Sequence, residues 1–220
     1  MRTVCVIATH QRHAALNIVL AHLPADWQVV VVVTDEADSQ AMEPRDGLHV
    51  VRHPNEPLGA KWQHGVDKAR TLNPDLLVIT GSDDVLLTST VGLASLMTDC
   101  DMLGLRGFYA YNGRQHWFFS YKSHVPMPIG GGRVYTRAIL DRMRWRLFDT
   151  EKNKHLDEYG YANVLRHGGA VKQLLDDAAF RLVALKGDWP QKNPLDKYLR
   201  GKNLNVKPLR DVRHSVTYQW

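Results

Sequence analysis

Cysteine is scarce: the 220 residues hold two, Cys5 and Cys100, which build neither a disulfide framework nor a metal-ligand spacing. A reducing cytoplasm is the expected compartment. No apolar run approaches the length that crosses a bilayer, and the opening MRTVCVIATHQRH lacks the apolar core of a secretory signal. No GxGxxG follows the first apolar run, where ATHQRH stands, and no GxxxxGK followed by Ser or Thr occurs. A dinucleotide fingerprint and a P-loop are thereby excluded. None of the eleven histidines forms an HExxH spacing. No internal repeat or low-complexity block divides the chain.

What is present is an ordinary globule. Apolar residues make up 44% and charged residues 23% of the chain, proportions typical of folded domains. A chain of this length suits one well-filled core. The net charge of +5 favours an anionic partner such as a nucleotide, a nucleic acid or an acidic surface.

The first half alternates apolar runs with helical spacing. Thr3–Thr9 and Gln28–Thr34 are continuous apolar, β-branched runs, and His49–Arg52 is a shorter one. Helical periodicity covers Ala14 to Leu23, ended by Pro24, and Leu58–Arg70 passes from loop to helix. Wholly apolar strands alternating with helices predict a parallel sheet covered on both faces, a Rossmann-like nucleotide-binding half over residues 1–100. The stretch PDLLVITGSDDVLL, Pro74–Leu87, organises this half. Its buried strand delivers Ser82, Asp83 and Asp84 to the carboxyl end of the sheet, where open α/β folds bind ligands. Two adjacent acids there suit a hard divalent cation shared with phosphate. They equally suit the N-cap of a helix over Val85–Met97.

The second half, 101–185, is aromatic-rich and strand-like around an Asn112-Gly113 turn. Three consecutive glycines, Gly130, Gly131 and Gly132, either admit a ligand close to the backbone or form a plain loop. Val134–Met143 has helical character, and Leu156-Asp157-Glu158 opens a helix stopped by Gly168-Gly169. Val171–Leu175 and Phe180–Leu185 read as strands. Residues 186–220 are polar and basic, which suits a solvated surface.

In order, PLGAKWQHGV, GSDDVL, IGGGRVYTRAILDRM and LDEYGYANVLRHG resemble the segments of GT-A-fold glycosyltransferases, in particular family-2-like members. The likeness runs from near Thr3 to near Lys186. It implies an α/β GT-A fold in one domain: the Rossmann-like half, a mixed-sheet acceptor half, and the basic C-terminal segment. It implies a nucleotide-sugar donor, with Asp83 and Asp84 matching the later acids of the DxD-type motif that holds Mg²⁺ or Mn²⁺ against the diphosphate. Gly81 replaces that motif's first acid. Thr9 and Asp35, at strand ends, would hydrogen-bond the base and ribose. Lys61 and Gln63 fall in the Gly-x-Lys-x-Asn-like segment, Gly131 and Gly132 and Lys186 beside the donor, and His214 at a late metal-ligand position. Lys186, Asp188 and Asn193 stand where the closing loop of that family would lie over the donor.

Sugar transfer with inversion needs a carboxylate to take the acceptor hydroxyl's proton. Asp157 matches the family's base, with Glu158 as its neighbouring alternative. An acid in a helix's first turn also simply suits the helix dipole. The expected acceptor is a hydroxylated base in DNA, as in phage-type modification, or a cell-surface glycan. Two rivals stand beside this reading: a nucleotidyltransferase-like enzyme, and a non-catalytic basic module binding nucleotides or nucleic acid.

Overall fold

The computed structural model describes residues 1–187, 195–200 and 202–209. The chain opens β1 (Thr3–Ala8), α1 (His13–His22), β2 (Gln28–Val33), α2 (Glu36–Gln40), β3 (Leu48–Arg52), α3 (Leu58–Thr71) and β4 (Leu76–Gly81). It continues through β5 (Asp84–Thr88), α4 (Thr90–Leu96), β6 (Met102–Leu105), β7 (Gly107–Tyr111), β8 (His116–Tyr121), β9 (Arg133–Thr136) and α5 (Arg137–Arg142). Then come α6 (Leu156–Arg166), β10 (Val171–Leu174), β11 (Phe180–Leu185), α7 (Leu195–Leu199) and β12 (Leu204–Leu209).

Two mixed sheets share one domain. The larger runs β10-β6-β9-β4-β1-β2-β3 and the smaller β12-β8-β7-β11-β5. β1 pairs in parallel with both β2 and β4, so Thr9 and Gly81 emerge side by side at the same sheet end. The uniformly apolar β1 and β2 are buried throughout, apart from partial exposure of Ala8 and Gln28, as strands covered on both faces must be. On one face α3 lies so close that a Cβ on Gly65 would stand 2.6 Å from Val6 Cγ1 and 2.7 Å from Val32 Cγ2. Only glycine allows that approach. The strands β6, β9 and β10 complete the sheet begun by the first hundred residues, so the two halves are interleaved.

Three expectations change. Val85–Met97 is not one helix: Asp84–Thr88 forms β5, antiparallel to β11, and Ser89 caps α4 by accepting from Gly92 N at 3.1 Å. Asp83 and Asp84 therefore cap no helix. Val134–Met143 divides into β9 and α5, because Val134 and Tyr135 fill an antiparallel slot between β4 and β6. The strands of the first half, β4-β1-β2-β3, pair in parallel as expected, and β9 makes the full sheet mixed. Met102–Tyr111 breaks at Arg106, its two strands belonging to different sheets. No helix among the described residues is long and apolar enough to cross a membrane.

Candidate active site

Four segments converge where β1 and β4 end. β4 stops at Gly81, and the turn into β5 presents Asp83 and Asp84. The strand β11 runs antiparallel to β5 and sets Lys186 beside them, fixed by Leu185 N to Asp83 O at 2.7 Å and Lys186 N to Tyr111 O at 2.6 Å. Arg12 arrives from the loop after β1. Its Nη1 lies 3.0 Å from Asp83 Oδ1, while Lys186 Nζ lies 2.9 Å from Asp83 Oδ2.

Asp84 turns the other way, onto glycine. A Cβ on Gly81 would stand 2.5 Å from Asp84 Oδ2, and one on Gly131 would stand 2.7 Å from the same atom. The neighbouring Gly130 faces Asp157, whose Oδ2 would lie 3.5 Å from its Cβ. The glycine run thus separates the Asp84 and Asp157 carboxylates by bare backbone, and at Gly131 the absence of a side chain is what lets Asp84 pack so close. Substituting Gly81 by the acid usual at that motif position would drive a side chain into Asp84. Burial and the adjacent Asp83 carboxylate push the Asp84 pKa up to about 6, against the pull of Lys186 and Arg12.

Arg133, buried to 2% exposure, holds this arrangement. Its Nε donates to Ile129 O at 2.8 Å, Nη2 to Pro128 O at 2.7 Å, and Nη1 to Asp157 O. One guanidinium therefore fixes the glycine run against the first turn of α6. That helix starts from His155 in the left-handed region, φ 58, whose Nδ1 lies 2.9 Å from Glu158 Oε1. Glu158 is exposed and faces His155, whereas the half-buried Asp157 faces the glycines. The two candidate bases are separated by geometry.

Beside the acids lies a cavity of about 460 Å³, walled by the Thr9–Arg12 loop, Asn55, Lys61, Gly81 and Ser82. Thr9 Oγ1 and His10 Nδ1 are buried without a hydrogen-bond partner among the described residues, His10 Nδ1 lying 3.6 Å from Asp38 Oδ2. Lys61 has no solvent exposure and donates to Thr9 O, to Thr34 Oγ1 at 2.6 Å and to Asn55 Oδ1 at 3.2 Å. Burial presses its pKa down to about 8, opposed by Asp38 and Asp35. It shapes the cavity wall and is no solvated surface lysine. Asp35 is exposed and caps α2, accepting from Asp38 N at 2.9 Å.

Asp38, with His10 and Asp35, forms a cluster with metal-ligand proximity, its atoms within 4.8 Å. Its carboxylate is already engaged by Gln11 N at 2.8 Å, His13 Nε2 at 2.9 Å and Thr34 N at 3.1 Å. Burial would raise its pKa, and these hydrogen bonds outweigh burial and lower it. Asp38 acts as the clamp that ties the loop after β1 to the loop after β2.

Gln63 is not brought to the other candidates. Its amide is spent on the loop before α6: Nε2 donates to Trp145 O at 2.7 Å, and Oε1 accepts from Leu147 N at 3.0 Å and Phe148 N at 3.1 Å. The expected donor contact is corrected to a structural strap. His214, with Asp188 and Asn193 of the expected lid, lies outside the described residues. Arg12, Arg133 and Asp38 are not singled out by the sequence, although Arg133 falls within the segment IGGGRVYTRAILDRM. Arg12 was visible only as the one arginine of ATHQRH, and Arg133 as the residue after the glycine run.

No family model matches this chain, and no curated protein does. Among solved structures it is similar to TarS from S. aureus (TM-score 0.54, 17% identity), covering 84% of this chain and 37% of that one. It is similar to the bifunctional IspDF from Campylobacter jejuni (TM-score 0.53, 8% identity), covering 86% of this chain and 55% of that one. HddC from Yersinia pseudotuberculosis, complexed with GMP-PN, gives a TM-score of 0.53 at 11% identity, covering 84% and 93% of the two chains. The chain thus spans little more than a third of TarS and about half of IspDF. At such identities the likeness is one of fold. The fold is GT-A-like.

Proposed function

We propose that this chain is a metal-dependent, inverting glycosyltransferase that moves a sugar from a nucleotide-sugar donor to an acceptor hydroxyl. The observation that carries this reading is the placement of Asp84 and Asp157 on either side of one run of bare glycine backbone. A donor with its diphosphate near Asp84 and its sugar along Gly130–Gly132 would present the sugar carbon toward Asp157. The cavity walled by Thr9, Lys61 and Ser82 has room for a nucleoside, and the partnerless Thr9 hydroxyl supports a polar ligand there, since buried polar atoms ordinarily find partners.

The donor set fits Mg²⁺ or Mn²⁺. Asp83 and Asp84 offer hard oxygen ligands, and Asp84 stands against a wall that glycine keeps clear of side chains. When bound, such an ion supplies Lewis-acid stabilisation to the departing diphosphate. Asp157 takes the proton from the acceptor hydroxyl as that oxygen attacks the sugar carbon opposite the leaving group. Arg133 orients that base through the Asp157 carbonyl. The net charge of +5 supports an anionic acceptor, such as a hydroxylated base in DNA.

Thermal unfolding in the presence of UDP, GDP, CDP and ADP, each with and without Mn²⁺, tests the donor site. One nucleotide should raise the midpoint, and raise it further with the metal, as a ligand of the native state must. Absence of any shift across the panel would refute a donor site at Asp83 and Asp84.

A further inference from the structure

We propose that Arg12 and Lys186 form the diphosphate-binding pair of this site, and that Asp83 is their internal counterion until a nucleoside diphosphate displaces it. This rests on the nucleotide-sugar reading above and adds to it a residue, Arg12, and an order of events.

The pair converges from two separate parts of the fold onto opposite oxygens of one carboxylate. Side-chain exposure is 3% for Lys186, 11% for Asp83 and 19% for Arg12. A buried ammonium without an anion beside it is strongly disfavoured, so some anion must sit there in every state of the protein. On its other flank Lys186 has the Tyr198 ring, with Nζ 5.2 Å from the centroid, a contact that neutralises nothing. Arg12 lines the cavity next to Ser82, and its planar fork suits phosphate oxygens.

Asp83 has both oxygens engaged by cations. Asp84 has no ion pair among the described residues, so the two adjacent acids are unequal in the ligand-free protein. Asp84 is ready to ligate a divalent ion, and Asp83 is not. A diphosphate entering beside Ser82 offers Arg12 and Lys186 more negative charge than one carboxylate does. Its arrival frees the Asp83 oxygens to join Asp84. Metal and nucleotide binding are then coupled through the protein, and each must strengthen the other by the same factor.

The coupling can be measured by calorimetric titration of UDP, GDP, CDP and ADP into wild type, Asp83→Asn and Arg12→Gln, in EDTA and in Mn²⁺. In EDTA, Asp83→Asn should bind the preferred nucleotide about tenfold more tightly than wild type, since a competing charge is gone. It should also lose the enhancement by Mn²⁺. Arg12→Gln should bind about tenfold more weakly in EDTA, and it tests the proposal even where Asp83→Asn does not fold. Wild-type binding with either variant unchanged in EDTA would overturn the exchange while leaving the donor site standing. Failure of wild type to bind any of the four nucleotides would remove the donor site and this proposal together.

Discussion

Replacing Asp157 by asparagine should lower the rate of sugar transfer by about 10²- to 10⁴-fold, the span a positioned general base commands. Nucleotide affinity should stay at the wild-type value. Asparagine keeps the shape that packs against Gly130 and leaves the Arg133 bond to the Asp157 carbonyl intact, so the loss falls on proton transfer. Glu158→Gln is the control. Glu158 is exposed and bonded to His155, so its removal should cost no more than about 1 kcal/mol of stability at a helix start and leave turnover within a few-fold. Steady-state kinetics on both variants checks this. A damaging Glu158→Gln beside a tolerated Asp157→Asn would reassign the base.

Asp84→Asn should have the opposite signature on stability and on function. In the ligand-free protein the Asp84 pKa is raised from 3.8 to about 6, by burial and then by Asp83, with Lys186 and Arg12 opposing. A carboxyl raised in the folded state binds more protons there than in the unfolded chain, so stability falls as pH rises between those values. Above about pH 6 the ionised carboxylate strains the ligand-free fold, and asparagine removes that strain. The variant's melting midpoint should therefore exceed that of wild type at pH 7.5, by about 2–4 °C for each kcal/mol relieved in a domain of this size. The advantage should vanish below pH 4. Metal-dependent stabilisation by nucleotide should be lost in the same variant. That combination, gained stability with lost ligand response, marks a functional strain. A variant less stable than wild type at pH 7.5 would make Asp84 a structural residue.

Much of the architecture was legible because burial on both faces leaves so plain a pattern. TVCVIAT, QVVVVVT and LLVIT admit no solvated face, and β1, β2 and β4 lie within a residue of those runs. The strand β11 matches Phe180–Leu185 in full. β5 and β9 were hidden for one shared reason: each is short and takes its conformation from partners distant in sequence. Asp84–Thr88 becomes a strand only because β11 pairs with it. Arg133–Thr136 does so only because β4 and β6 leave a slot between them.

The site divides similarly. Asp83, Asp84, Gly131 and Lys186 come together, and Asp157 stands one glycine away. Gln63 was misplaced by following a motif over helix geometry. Two residues apart on α3, its side chain points about 200° around the axis from Lys61, so both cannot face the same cavity. Arg12 and Arg133 could not be found from the sequence, since their partners are a distant carboxylate and three carbonyls that meet only in the folded chain.

The most direct test of the account is turnover of nucleotide sugars by the wild-type chain. Incubated with a panel of them in Mn²⁺ or Mg²⁺, it should release nucleoside diphosphate from one, slowly with water as acceptor. EDTA and Asp84→Asn should each abolish the release. Release of pyrophosphate from a nucleoside triphosphate and a sugar phosphate, with every nucleotide sugar left intact, would contradict the account and make the chain a nucleotidyltransferase.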